Sequence, residues 1–220
     1  MVAEIKSDII YPESDGKPMA DNTKQFEWIV LIKKNLDLLF QNEPNVFVAG
    51  DLLWYPVEGN PNVCAAPDAM VVFGRPKGDR SSYKQWEEAN LPPQVVFEIL
   101  SPSNTKREMA RKLVFYEDYD VEEYYIYDPD ANRVEGWLKC NGMLNEIDDF
   151  SSYTSPRLSI RFDLSASPMQ IYCSNGRKFL SYGELDALLQ QERSRADQAE
   201  QRAEQLAEQL RQMGIDPDQI

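Results

Sequence analysis

Apolar positions along this chain change rhythm twice, and each change marks a different kind of element. After a polar stretch with Pro12, Gly16 and Pro18, read as an arm over residues 1–22, Phe26, Ile29, Val30, Leu36 and Leu39 mostly follow a helical face. With Thr23 as N-cap they predict a helix to about Gln41. Short dense runs then take over. Val46-Phe47-Val48-Ala49 and Leu52-Leu53-Trp54-Tyr55 read as one strand with a bulge or bend at Gly50-Asp51. Further strands are expected over Ala65–Phe73, Val95–Leu100, Glu123–Asp128 and Arg133–Leu138, the last two as a hairpin through Pro129-Asp130-Ala131-Asn132. Val95–Leu100 is apolar at nearly every position, as a central strand covered on both faces should be. Ser103 can cap a helix over about 105–119, on which Glu108, Lys112 and Tyr116 share a face. Gly74–Pro93 is a long polar excursion, with a short helix around Tyr83–Glu87 and room to flank a cleft. Residues 144–173 are weaker strand material. The succession predicts an α/β fold with a mixed central sheet flanked by helices.

The second change comes near Gly183. Leu189, Glu192, Ala196, Ala199, Ala203, Leu206, Leu210 and Met213 recur by threes and fours, until Gly214 and Pro217 end the pattern. The chain therefore divides into an arm (1–22), a globular domain (23–184), a helical or coiled-coil tail (185–214) and a short end (215–220). A homodimer through 185–213 is one use of the seam. A helix folded onto its own domain is the other.

Composition narrows the chemistry. The 220 residues suffice for one domain with a core and an appendage. No apolar stretch approaches a membrane span, and Met1–Asp8 lacks a signal-peptide core, so a cytoplasmic protein is expected. Cys64, Cys140 and Cys173 are too scattered for a zinc site and read as reduced thiols. The chain has no histidine. That excludes Ser-His-Asp and Cys-His catalysis, and leaves acid–base work to carboxylates, lysine, tyrosine or metal-bound water. The net charge of −14 argues against strong non-specific nucleic-acid binding. Lys106, Arg107, Arg111 and Lys112 nevertheless gather on one segment, either as a local basic patch or as a solvated face.

Two carboxylates stand out against this background. Asp68 and Glu98 each interrupt an apolar run, where burial is costly without a cation or a hydrogen-bond donor. On neighbouring strands they could share Mg²⁺ or Mn²⁺ through hard oxygen ligands, with Lys112 offsetting phosphate charge. A structural ion pair would account for the same residues. Glu27, on the first helix, is a further acid that could point toward such a site.

These residues occur in an ordered series: Pro67-Asp68, Glu98-Ile99-Leu100-Ser101-Pro102-Ser103, Lys112 with Tyr116, and Val121–Pro129. The series resembles the "putative restriction endonuclease" family abundant in cyanobacteria and long filed as a domain of unknown function, within the PD-(D/E)XK nuclease superfamily. The similarity runs from about Gln25 to Asp163. It implies a restriction-endonuclease-like mixed sheet, with Asp68, Glu98 and the Ile99 carbonyl as ligands of Mg²⁺ or Mn²⁺. The superfamily usually carries its lysine two residues after the second acid, where this chain has Leu100. The resemblance therefore assigns that part to Lys112, displaced to the next helix, which a long flexible stem permits. Ser101 and Tyr116 match as supporting positions, although a turn residue and a packing aromatic are their ordinary roles. The implied activity is metal-dependent phosphodiester hydrolysis, with DNA as substrate. The alternatives are a catalytically silent binding or regulatory module, and a phosphodiesterase of small substrates.

Overall fold

In the computed structural model, residues 9–16, 18–214 and 216 are described. Residues 1–8 and 17 of the expected arm, and 215 and 217–220 of the expected end with Pro217, lie outside them. The chain forms two compact units, one up to Phe179 and one from Leu180.

The first unit is built on a six-stranded sheet in the order β1-β3-β5-β6-β7-β8: β1 (Val46–Ala49), β3 (Ala69–Phe73), β5 (Val95–Ile99), β6 (Glu123–Asp128), β7 (Arg133–Cys140) and β8 (Met143–Glu146). Only β5 and β6 pair in parallel; every other pairing in this sheet is antiparallel. Helix α2 (Lys106–Asp118) supplies the crossover that a parallel pair needs. Strand β5 lies inside the sheet and is buried at every position.

The pleat sorts its neighbours onto two faces. Val95, Phe97 and Ile99 pack with Ile29, Ile32 and Leu36 of α1 (Thr23–Leu39). The same cluster takes in Phe162 and Ile171 from the separate hairpin of β9 (Ile160–Asp163) and β10 (Gln170–Cys173). On the opposite face Met70, Val72, Val96, Tyr124 and Ile126 pack with Tyr116, and partly buried Met109 and Leu113, of α2.

Three local expectations are corrected. The Gly50-Asp51 break is a change of sheet rather than a bulge. Asp51 takes φ 49°, and β2 (Trp54–Tyr55) leaves the main sheet to pair in parallel with β4 (Tyr83–Lys84). The expected helix near residue 83 is therefore strand β4 followed by a 3-10 turn over Gln85–Glu87. The caps also shift: Asn22, not Thr23, caps α1, and Thr105, not Ser103, caps α2.

The second unit holds α3 (Tyr182–Gln212), opened by a capping box between Ser181 and Glu184. It has no buried residue. The three cysteines are free thiols. Among the described residues, no helix is long and apolar enough to cross a membrane.

Candidate active site

Register places the two acids. Ala69 pairs with Phe97 and Met70 with Val96, so one further step of the antiparallel ladder sets Asp68 opposite Glu98. Directly opposed residues share a face. Here it is the face of Met70 and Val96, which α2 covers. Both carboxylates are nearly sealed from solvent, Asp68 at 8% exposure and Glu98 at 3%.

Each acid has donors that fix it. Asp68 Oδ2 accepts from the Ile99 N–H at 2.6 Å. Glu98 is held from two sides by α2: Lys112 Nζ donates to Oε2 at 2.6 Å and the Tyr116 hydroxyl donates to Oε1 at 2.5 Å. Lys112 and Tyr116 lie one helical turn apart, so a single α2 face delivers both groups. Tyr116 is locked in turn, stacked on Trp54 and edge-on to Tyr124. It therefore packs as an aromatic and orients a carboxylate at once.

Burial pushes the Asp68 carboxyl up to about 8, reinforced by Glu98 and Asp51, while the Ile99 N–H and Lys112 oppose the rise. Burial works against the Lys112 ammonium, but the Glu98 charge and hydrogen bond, with Asp68 and Glu108, outweigh it and raise its pKa. Asp51 is also raised, first by burial, then by Asp15 and Glu98 against Lys112. Were both carboxylates ionised, one ammonium would leave the site short of positive charge, which together with burial is why Asp68 keeps its proton to higher pH.

The acids open onto a cleft of about 500 Å³, lined among others by Asp15, Asp21, Gln25, Asp51, Cys64, Glu108 and Arg111. Gln25 is the principal residue that sequence reasoning missed. It is buried on α1, donates through Nε2 to the Ile99 carbonyl at 2.8 Å and accepts from the Asp21 N–H at 2.8 Å. Both ends of Ile99 are thereby engaged, its N–H by Asp68 and its carbonyl by Gln25. The signal was present: Gln25, Ile29, Ile32 and Leu36 form one buried helical stripe, and a polar residue in such a stripe needs a partner. Glu27 lies round the helix from that stripe, is exposed, and does not line the cleft. Ser101 is buried, does not line the cleft, and bonds neither Asp68 nor Glu98 through its hydroxyl. Its hydroxyl donates to Asp21 at 2.6 Å, within a turn that also holds Ser103 and Asn104.

The donor set suits a hard divalent cation. Asp68, Glu98 and the Ile99 carbonyl present oxygens only, the set that Mg²⁺ and Mn²⁺ prefer. Among the described residues no group of three or more Asp, Glu, His or Cys side chains is placed to hold a metal. A two-carboxylate site is still sufficient for Mg²⁺, which keeps several waters.

Comparison with known proteins bears on the same span. A solved structure from Anabaena variabilis ATCC 29413, described as a putative nuclease belonging to DUF820, is similar at 14% identity with a TM-score of 0.48, over 64% of this chain and 76% of that one. No curated protein matches the chain. The family model described as "Uma2: Putative restriction endonuclease" matches residues 15–167, which include the cleft acids, Lys112 and the whole six-stranded sheet. By that match, over well more than half its length, the chain belongs to the Uma2 family.

Proposed function

We propose that this Uma2 protein is a metal-dependent phosphodiester hydrolase acting on DNA, with Asp68, Glu98 and Lys112 as its catalytic residues. The observation that carries the reading is the convergence of Lys112 from α2 on Glu98, opposite Asp68, at the floor of one cleft. An ion pair serving stability alone would not need a second buried carboxylate beside it, since each adds desolvation cost.

Asp68, Glu98 and the Ile99 carbonyl would hold Mg²⁺ or Mn²⁺. Bound there, the ion would supply Lewis-acid polarisation of a phosphate and a water of lowered pKa. The chain's own residues do the rest. Lys112 brings a positive charge to the cleft wall, where it can offset charge on a scissile phosphate. Tyr116 and Lys112 fix the Glu98 carboxylate in one orientation. Gln25 steadies the Ile99 carbonyl through a neutral amide, adding no charge to a site already rich in carboxylates. Supercoiled plasmid incubated with Mg²⁺ or Mn²⁺ should be nicked by the wild-type chain and not by Asp68→Ala; equal nicking by both would remove the reading.

One observation favours a second reading, hydrolysis of small phosphodiesters. Asp15, Asp51 and Glu108 line the same cleft, which disfavours a polyanion more than a small ester. Metal-dependent hydrolysis of bis(p-nitrophenyl) phosphate without plasmid nicking would select it. We further propose that the chain self-associates through residues 185–213, because α3 exposes Leu185, Leu189, Leu206 and Met213. Light scattering should give a dimer for the full chain and a monomer for one ending near Asp186.

A further inference from the structure

The apolar face of α3 is arranged by size in a way that specifies its partner. Large residues sit at both ends, Tyr182, Leu185 and Leu189 at the start, and Leu206, Leu210 and Met213 at the finish. Small alanines, 196, 199 and 203, fill the middle, with Glu192 the one charged residue on the face. A face with this symmetric size order can lie against a second copy of itself in either direction, its alanine layers letting the two axes approach closely at the middle.

We infer that α3 pairs antiparallel with α3 of a second copy, in a single register centred between Asp197 and Gln198. This rests on the self-association proposed above and fixes its direction. In that register Tyr182 meets the partner's Met213, Leu185 the partner's Leu210, and Leu189 the partner's Leu206. Glu192 meets the partner's Ala203, and Ala196 the partner's Ala199. The same pairs repeat on the other side of the two-fold axis, so the interface is isologous. The stripe's centre coincides with that of the helix, so no part of the helix overhangs.

Charge distinguishes this arrangement from the parallel one. Parallel, in-register pairing would stack Glu192 on the partner's Glu192 within the seam, and like charges facing each other at a covered position are destabilising. Antiparallel pairing sets Glu192 against a small alanine, beside the partner's Arg202, while Arg195 of its own helix already reaches it at 2.8 Å. Arg193 also falls opposite the partner's Glu200 on one flank. On the other flank Arg195 faces the partner's Arg202, and at each of these two symmetry-related contacts one Glu192, already bonded to Arg195 of its own helix, lies beside the arginine pair and offsets part of the repulsion.

Site-directed cross-linking tests the direction. In a full-length background with Cys64→Ser and Cys140→Ser, chains carrying Leu189→Cys and Leu206→Cys are oxidised separately and as a mixture, and linked peptides are identified by mass spectrometry. Antiparallel pairing gives 189–206 links in the mixture and none from either chain alone. Links of 189 to 189 and 206 to 206 would overturn the direction while leaving self-association standing. No links, together with a monomeric mass by light scattering, would overturn both.

Discussion

Replacing Asp68 by Asn tests the electrostatics of the site without any assumption about substrate. The amide keeps an oxygen to accept the Ile99 N–H bond now made by Asp68 Oδ2, and it carries no charge at any pH. In the folded chain the Asp68 carboxyl is pushed from 3.8 up to about 8, chiefly by burial and then by Glu98. Its folded pKa is therefore raised, so the stability linked to its proton is fully present below the unfolded value and lost as pH rises through about 8. Each pH unit in that window corresponds to about 1.4 kcal/mol, so the whole span of about 4 units is worth on the order of 5 kcal/mol. Asn escapes this loss. Urea unfolding of both chains in EDTA, from pH 5 to 9, should show Asp68→Asn gaining on wild type by up to about 1.4 kcal/mol per pH unit as far as about pH 8, then levelling. Excess Mg²⁺ should narrow the gap by stabilising wild type alone. A stability difference independent of pH between 5 and 8 would refute the reasoning, because Asp68 would then be ionised throughout.

Other substitutions probe the neighbouring contacts. Tyr116→Phe removes the donor to Glu98 Oε1 and should cost about 1–3 kcal/mol in the same urea assay, the penalty of a buried acceptor left unmet; no loss would mean that the hydroxyl does not position Glu98. Lys112→Ala leaves a carboxylate of 3% exposure with Tyr116 as its remaining side-chain donor. It should lower metal-free stability at pH 7 by about 2–4 kcal/mol, with Mg²⁺ recovering part of the loss. Away from the cleft, Ser155→Ala breaks a buried link in which the serine hydroxyl donates to Glu123 at 2.5 Å and accepts from the Leu158 N–H at 2.9 Å. It should cost about 1–3 kcal/mol by urea unfolding and leave metal binding unchanged.

What was legible in the chain, and what was not, follows from the range of the forces involved. Periodicity gave α1, β5, α2, the β6–β7 hairpin and the long C-terminal helix, because each is set by its own alternation of apolar and polar residues. The departure of Trp54–Tyr55 from the main sheet was not visible, since the partner strand Tyr83–Lys84 is only two residues long and almost thirty residues away. Cap positions slipped by one or two residues because Asn22, Thr23, Ser103 and Thr105 all have cap chemistry, and tertiary contacts choose among them; Ser103 is taken by Asp21. At the site, Asp68 and Glu98 were conspicuous as charges in apolar surroundings. Gln25 was not, because a neutral amide on a helix looks like a surface residue until the carbonyl it serves, 74 positions away, is in place. Glu27 drew attention through its charge and lies on the exposed side of the same helix.

The central claim is that Lys112 belongs to a hydrolytic centre rather than to a structural ion pair. Its most direct test is single-turnover cleavage of a labelled DNA duplex by wild type and Lys112→Ala, at saturating Mg²⁺ and at a temperature where both are folded, with Mg²⁺ affinity measured in parallel by calorimetry. The account predicts that cleavage falls by roughly two orders of magnitude or more, on the scale of a lost electrostatic catalytic group, while Mg²⁺ still binds. Cleavage at the wild-type rate by the folded variant would contradict it.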